Sequence, residues 1–126
     1  MFVICVSNAQ IQRTDGNWYW AEYSTFSISD EANKYQLTLA GYSGDAGDAM
    51  MSPYFMKYAA NGQKFTTRDD DNDTWNEGNC ADDYGGGWWM GKCTESNVNN
   101  KVNGMWETDA MHRFRVQQSF MMLKLS

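Results

Sequence analysis

Residues 69–89 read DDDNDTWNEGNCADDYGGGWW, and this stretch decides the fold of the 126-residue chain. Its first part, 69–83, contains seven of the chain's 16 acidic side chains and none of its 10 Lys and Arg. The remaining nine acids are balanced by the ten bases, so this segment accounts for the net charge of −6. Crowded carboxylates repel each other unless water or a cation separates them. The segment is therefore the first place to look for a bound cation.

The alternating acids Asp69, Asp71 and Asp73 supply the hard oxygen ligands that calcium prefers. An EF-hand that begins at Asp69 requires Gly at its sixth position and Glu at its twelfth. Those positions hold Thr74 and Cys80, which excludes an EF-hand. A solvated acidic loop without an ion is the alternative, and composition alone leaves both interpretations open.

The chain has three cysteines, which cannot all pair within one molecule. A bridge between Cys80 and Cys93 closes a short loop and removes roughly 3 kcal/mol of unfolded-chain entropy. Cys5 is then left over. One His and no close pair of cysteines make a poor zinc site, so a disulfide formed in an oxidising compartment is favoured. This interpretation implies a secreted or cell-surface protein.

Composition excludes several classes of function. A chain of this length holds one modest domain, so a multidomain enzyme is excluded. The acidic balance disfavours nucleic acid and anionic membranes as partners, and no apolar run approaches the ~20 residues that span a bilayer. The opening MFVICV is interpreted as the start of a strand and not as a signal peptide. No arrangement of acids with a Ser, His or Cys base indicates catalysis.

Periodicity predicts two strands, over 18–28 and over 35–39, that form a hairpin. Asp45 or Asp48 is predicted to cap a short helix over Ala49–Met51. The segment 66–104 shows neither helical nor strand periodicity, and a compact domain keeps such a segment when function organises it. The tail 114–125 alternates again and predicts a final strand.

A series of short motifs spread over the chain gives a resemblance to a known family. The motifs are Tyr23-Ser24-Thr25-Phe26, Gly44-Asp45-Ala46-Gly47-Asp48-Ala49, Asn61-Gly62, Phe65-Thr66-Thr67, Asp69 to Asp73, Asn79-Cys80-Ala81, Gly86-Gly87-Trp88-Trp89 and Cys93. In this order and spacing they closely resemble the fibrinogen C-terminal domain family, which includes fibrinogen chains, ficolins, tachylectins and angiopoietin-type ligands. The resemblance runs from about Asp15 to the end.

The resemblance implies a calcium site in the acidic segment. The matching side-chain ligands are Asp71 and Asp73, and the matching backbone carbonyls are those of Trp75 and Glu77. Because the loop is one residue longer than the usual spacing, Gly78 is the alternative carbonyl donor. The cysteines that match the family's disulfide beside this site are Cys80 and Cys93.

The resemblance also implies a pocket for acetylated sugars beside the metal, as in the lectin-like members. The matching positions are Tyr84, Lys92, Cys93 and Thr94, with His112 as a further candidate. Thr94 stands where such lectins commonly carry His. The stretch after 96–99 is shorter than in those lectins, so one wall of the pocket is expected to be missing.

The sequence therefore predicts an α+β fold: a small antiparallel sheet with a long irregular calcium-binding region and short helices. Residues 1–14 form an uncertain segment, and 15–126 are expected to be part of a fibrinogen C-terminal domain truncated at its N-terminus. The predicted function is a secreted, calcium-dependent module that binds acetylated glycans in innate immunity. The alternatives are a protein-interaction module of the fibrinogen or angiopoietin type and a truncated fragment without function. Any oligomer is expected to form through the missing N-terminal region.

Overall fold

The computed structural model describes residues 5–52, 58–100, 104–109 and 112–125. In these residues eight strands and one α-helix follow each other along the chain. They are β1 Cys5–Arg13, β2 Trp18–Ile28, β3 Leu37–Gly44, β4 Phe65–Thr66, α1 Cys80–Tyr84, β5 Trp88–Trp89, β6 Ser96–Asn97, β7 Gly104–Asp109 and β8 His112–Leu125. A 3-10 turn at Glu31–Asn33 joins β2 to β3.

Six of these strands form one antiparallel sheet in the order β3-β2-β1-β8-β7-β6. The predicted hairpin is present as β2 and β3, in which Phe26 faces Leu39. β1 lies between β2 and β8, with Ala9 opposite both Ala21 and Met121. The segment that the sequence left uncertain thus supplies an internal strand of the main sheet.

The inner face of the sheet is apolar and covered. Its fully buried side chains include Ile11, Tyr23, Leu37 and Trp106. Along the first half of β3, buried Leu37 and Leu39 alternate with exposed residues, because successive side chains point to opposite faces. The outer face carries exposed aromatic rings, among them Trp18, which stacks on Phe120 with ring centroids 5.7 Å apart.

A layer of irregular backbone covers the inner face. Within this layer β4 and β5 form a separate two-stranded ribbon. Tryptophans fasten the layer to the sheet: the indole of Trp106 in β7 donates a hydrogen bond to the carbonyl of Gly47 at 2.9 Å. Trp88 donates to the Ser96 hydroxyl at 3.3 Å. The predicted absence of regular structure in this region is therefore largely correct, and side-chain hydrogen bonds hold its shape.

The α+β class predicted from the sequence is not confirmed, because the chain is 48% strand and only 9% helix. The short helix predicted over Ala49–Met51 is a single turn, closed by a hydrogen bond from the Ser52 amide to the Asp48 carbonyl. The Asp48 carboxylate accepts a hydrogen bond from the Met51 amide, as an N-cap does, and another from the Tyr23 hydroxyl at 2.9 Å. The one α-helix found, α1, has only five residues.

No helix among the described residues combines the length and the apolar character that crossing a bilayer requires.

Candidate functional site

The acidic segment is pinned to the ribbon by Asn72. Its amide N–H donates to the Thr66 hydroxyl at 2.8 Å, and its side-chain nitrogen donates to the Phe65 carbonyl at 3.0 Å. Both acceptors belong to β4, which pairs with the two tryptophans of β5. The segment therefore starts from a fixed position on the inner layer, although most of its carboxylates are exposed.

Asp73 is the most constrained acid of this segment. One carboxylate oxygen accepts a hydrogen bond from the Trp75 amide at 2.9 Å, and the other accepts from the Cys80 amide at 2.8 Å. Burial raises the pKa of Asp73 above its ordinary value, the two backbone N–H groups oppose this shift, and the neighbouring carboxyl of Asp71 adds to it. Asp71 in turn accepts a hydrogen bond from the Asp73 amide at 3.3 Å. Two carboxyl groups thus lie side by side on one short turn.

Trp75 and Gly78 close the far side of this turn. A Cβ added at Gly78 would come within 2.5 Å of the Trp75 ring, so the indole lies directly against the Gly78 backbone. The Trp75 carbonyl accepts one hydrogen bond, from the Gly78 amide at 3.3 Å. A carbonyl oxygen has two lone pairs, so this group retains one for another donor or an ion.

The predicted disulfide between Cys80 and Cys93 is confirmed, with a Cα–Cα distance of 5.7 Å. Cys80 is fully buried at the start of α1. The Asn79 side chain caps this helix by accepting from the Asp82 amide, and Gly85, with φ +85°, ends it. The peptide bond between Lys92 and Cys93 is cis. The bridge thus connects the helix after the acidic segment to the strand region that follows β5.

The residues of the predicted sugar pocket differ in accessibility. Tyr84 is 43% exposed at the end of α1, and Lys92 is exposed with its ammonium group 4.0 Å from the Glu77 carboxylate. Thr94 is buried, and its hydroxyl donates to the Ser96 carbonyl at 2.7 Å. Its hydroxyl is therefore used within the fold. The side chain of His112 lies outside what the structure describes, although its backbone begins β8.

In the described part of the chain, no three acidic, histidine or cysteine side chains gather into a metal cluster. An ion at the acidic segment would therefore depend on two carboxylates, Asp71 and Asp73, supplemented by backbone carbonyls. That is also the donor set that the resemblance implied for Asp71 to Gly78.

Two asparagines that the sequence analysis did not single out shape the site. Asn97 donates from its side chain to the Gly85 carbonyl at 3.2 Å, and Asn99 donates to the Gly87 carbonyl at 3.1 Å. Together they fix the glycine-rich turn between α1 and β5. The only sequence signal is the run SNVNN at 96–100, since Asn side chains commonly satisfy irregular backbone.

Comparison with known proteins gives relatives over most of the chain. The techylectin-like protein of Phoneutria nigriventer is 41% identical over 85 residues, covering 68% of this chain and 35% of that protein. The human fibrinogen gamma chain is 39% identical over 100 residues, covering 71% of this chain and 21% of that one. The chain thus spans at most 35% of the length of these two relatives.

Solved structures share the fold. The fibrinogen-like globe domain of human ANGPTL2 superimposes with a TM-score of 0.81 at 27% identity, covering 98% of this chain and 59% of that one. A lamprey fibrin D-dimer, solved with the peptide Gly-His-Arg-Pro-amide, superimposes with a TM-score of 0.84 at 23% identity, covering 96% and 45%. A family profile described as fibrinogen beta and gamma chains, C-terminal globular domain, matches residues 5–124. The chain belongs to this fibrinogen C-terminal domain family.

Proposed function

We propose that the protein is an extracellular, non-catalytic recognition domain that binds a positively charged polypeptide segment beside a calcium-organised loop. The observation that carries this proposal is the position of Tyr84. Its ring is 43% exposed at the end of α1, directly after the exposed carboxylates of Asp82 and Asp83. An exposed aromatic ring among acidic groups suits a basic side chain, by charge and by cation–π attraction.

The surroundings of Tyr84 support a rigid recognition surface. α1 is held by the Asn79 cap and by the buried half of the disulfide. The glycine turn after it is held by Asn97. A surface whose backbone is already fixed loses little conformational entropy on binding. Recognition residues on such a short helix therefore need no rearrangement.

Calcium fits the acidic segment chemically. Asp71 and Asp73 would hold the ion through their carboxylates, with backbone carbonyls of Trp75 and of Glu77 or Gly78 as further oxygen donors. Burial and the nearby Asp71 raise the pKa of Asp73, and a positive charge beside it would stabilise its ionised form. Bound calcium would supply that charge and neutralise the repulsion between the two carboxylates. The Asp73 carboxylate also accepts from the Cys80 amide, so it connects the segment directly to α1.

An extracellular location agrees with the disulfide, since such bonds persist in oxidising compartments. Relatives with this domain are mostly secreted or extracellular proteins. The family is also generally non-enzymatic. These three points support a binding role outside the cell.

Binding of acetylated glycans, with a role in innate immunity, is the second candidate function. It is favoured by the 41% identity to a techylectin-like protein. It is disfavoured by Thr94, whose buried hydroxyl is engaged with Ser96. Of the four described positions of the predicted pocket, only Tyr84 and Lys92 are exposed.

A peptide-binding measurement tests the polypeptide proposal. We expect an arginine-rich peptide to bind more tightly in calcium at about 2 mM, which exceeds the ~10⁻⁴ to 10⁻³ M dissociation constants of extracellular modules, than in chelator. A glutamate-rich peptide of equal length should not bind. Non-specific charge attraction would give the opposite result, weaker peptide binding in calcium than in chelator, because bound calcium reduces the negative charge of the segment. Tyr84→Ala should weaken binding about tenfold, the loss of one cation–π and stacking contact of ~1 to 2 kcal/mol.

The matched control is Trp18→Ala, since Trp18 is 44% exposed on the opposite face of the sheet and should leave binding unchanged. Tighter binding in chelator, or equal loss in both variants, would contradict the proposal. Retention on N-acetylglucosamine beads, with release by free acetate and by chelator, would support the glycan candidate instead.

A further inference from the structure

The acidic segment contains an N-glycosylation sequon, Asn72-Asp73-Thr74. Of the chain's 11 asparagines, Asn72 alone has Ser or Thr two positions later. The side-chain amide of such an Asn accepts a glycan in the secretory pathway, so use of this sequon rests on the extracellular location proposed above. Glycans are bulky and hydrophilic, and the sequons that carry them lie in surface loops. The surroundings of Asn72 differ from that pattern.

The side-chain nitrogen of Asn72 is already engaged in the folded chain. It donates to the Phe65 carbonyl at 3.0 Å and to the Asp70 carbonyl at 3.2 Å. A carboxamide nitrogen has two hydrogens, so these two acceptors use both of them. Asn72 is also partly buried, and its backbone amide donates to the Thr66 hydroxyl at 2.8 Å. The nitrogen that would carry a glycan is thus the one that pins the acidic segment to β4.

A glycan on this nitrogen does not fit the pinned segment. The anomeric carbon would replace one hydrogen, at a C–N distance of ~1.45 Å. Along either hydrogen bond it would then lie less than about 2 Å from the carbonyl oxygen. Even the close C–H···O contacts of proteins keep carbon and oxygen ~3.3 Å or more apart. Attachment of a glycan therefore requires the Asn72 side chain to leave at least one of its two acceptors.

We propose that Asn72 accepts an N-linked glycan only before the acidic segment is pinned, and that a chain glycosylated there cannot pin it. The co-substrate is a lipid-linked oligosaccharide diphosphate. A bond forms between Asn72 Nδ2 and the anomeric carbon of the oligosaccharide, and Nδ2 releases one proton. The bond from that carbon to the diphosphate oxygen breaks, and the lipid diphosphate leaves with the bonding electron pair.

The order of synthesis provides a period in which Asn72 is not yet pinned. β4 pairs with β5, and Cys80 pairs with Cys93, so the partners that fix this region are made after the sequon. At ~5 to 20 residues per second, the 19 residues that follow Thr74 up to Cys93 take about 1 to 4 s. Glycan transfer and folding compete during this period, and each excludes the other.

The glycan would act on the recognition surface around Tyr84. The residue after Asn72 is Asp73, whose carboxylate accepts from the Cys80 amide at the start of α1. A displaced Asn72 therefore loosens the contact that connects the acidic segment to the helix carrying Tyr84. Glycosylation at this sequon thus sets the fraction of chains in which the surface is formed.

Synthesis in the presence of endoplasmic-reticulum microsomes tests this proposal. A cleavable leader fused to the chain directs import, so a negative result concerns Asn72 and not the location of the protein. Glycan at Asn72 is measured by mass spectrometry, in oxidising buffer and with a reducing agent that prevents the Cys80–Cys93 bridge. We expect its occupancy to rise several-fold under reduction, because folding then competes less with glycan transfer.

The matched control moves the sequon to an exposed turn. Tyr19→Thr in a Thr74→Val background makes Asn17, which is exposed directly before β2, the acceptor. Its occupancy should be the same in both buffers, since no pinned segment protects it. Equal occupancy of Asn72 in both buffers would overturn the proposal, and so would an Asn72 that takes no glycan even under reduction.

The stability of the glycosylated fraction is the second readout. This fraction is isolated on a lectin column after reoxidation, and its thermal midpoint should lie below that of the Thr74→Val chain. Thr74→Val cannot be glycosylated but keeps the contacts of Asn72, because Thr74 is exposed and bonds to the Gly91 carbonyl through its backbone amide at 3.1 Å. A glycosylated fraction as stable as Thr74→Val would show that the glycan and the pinned segment coexist, and the proposal would be wrong.

Discussion

At the scale of single residues, Gly86 shows why the turn between α1 and β5 needs glycine. Its φ is +72°, a conformation that side chains disfavour, and an added Cβ would lie 2.5 Å from the Asn99 carbonyl oxygen. Asn99 is one of the two asparagines that hold this turn. The turn therefore has no space for a side chain, and the backbone atom that blocks it cannot rotate away.

We expect Gly86→Ala to lower the free energy of unfolding by about 2 to 4 kcal/mol, the sum of the conformational and overpacking costs. Gly62→Ala is the matched control, because Gly62 also has a positive φ, +83°, but no atom lies within 4 Å of the added Cβ. It should cost only the conformational ~1 to 2 kcal/mol. Denaturant unfolding of both variants measures the difference, and equal losses would show that Asn99 moves aside.

At the scale of elements, the Tyr23 hydroxyl joins β2 to the turn that follows β3. It donates to the Asp48 carboxylate at 2.9 Å and accepts from the Met50 amide at 3.4 Å. Burial raises the pKa of Asp48 above its ordinary value, and the hydrogen bond from Tyr23 opposes this shift. Burial also raises the pKa of Tyr23, so its hydroxyl stays protonated and continues to donate.

The pH dependence of this contact follows from the pKa of Asp48. In the fold this pKa lies above the unfolded value of 3.8, so the Asp48 carboxyl binds more protons in the folded chain than in the unfolded chain. Its contribution to the free energy of unfolding therefore falls as the pH rises from the unfolded pKa through the folded pKa. Tyr23→Phe removes a donor that favours the ionised carboxyl. We expect the free energy of unfolding of the variant to be lower by about 1 to 3 kcal/mol at pH 7. The decrease should be smaller at pH 3, where Asp48 is protonated.

Tyr42→Phe is the control for this prediction. The Tyr42 hydroxyl accepts from the Gly47 amide at 2.8 Å, and an amide does not titrate in this range. Tyr42→Phe should therefore lower the free energy of unfolding by the same amount at pH 3 and at pH 7. Urea unfolding at both pH values measures the two differences, and a Tyr23→Phe loss that does not grow with pH would contradict the assigned role.

The same elements show what the sequence could and could not predict. β2, β3 and β8 were predictable because large apolar residues alternate along them, as in Phe26 opposite Leu39. For β1 the opening MFVICV predicted only the start of a strand; its continuation to Arg13 was not predicted, because the buried face there carries the small residues Ser7 and Ala9, which give little periodicity. The cysteine pair was predictable from its spacing. The burial of Thr94 was not, because it depends on how the segment after β5 packs, which no local pattern records.

At the scale of the whole molecule, the acidic segment is coupled to the rest of the fold through covalent and packing contacts. Its Asp73 binds the amide of Cys80, and the disulfide carries that connection to Cys93. Trp88 and Trp89, in the ribbon that anchors the segment, pack with the core of the sheet. An ion at the segment should therefore stabilise the entire domain and not only its own loop.

We accordingly expect calcium to shift the whole unfolding transition. If it binds only the folded chain, a hundredfold excess over its dissociation constant adds ~2.7 kcal/mol to the free energy of unfolding, which raises the midpoint by several degrees. Asp71→Ala should abolish the shift, whereas Asp83→Ala, which removes the same charge from an exposed position on α1, should keep it. Melts followed by tryptophan fluorescence, with magnesium at equal ionic strength as the salt control, measure this. A shift that survives in Asp71→Ala, or that magnesium reproduces, would reduce the effect to charge screening and remove the loop's role as a calcium site.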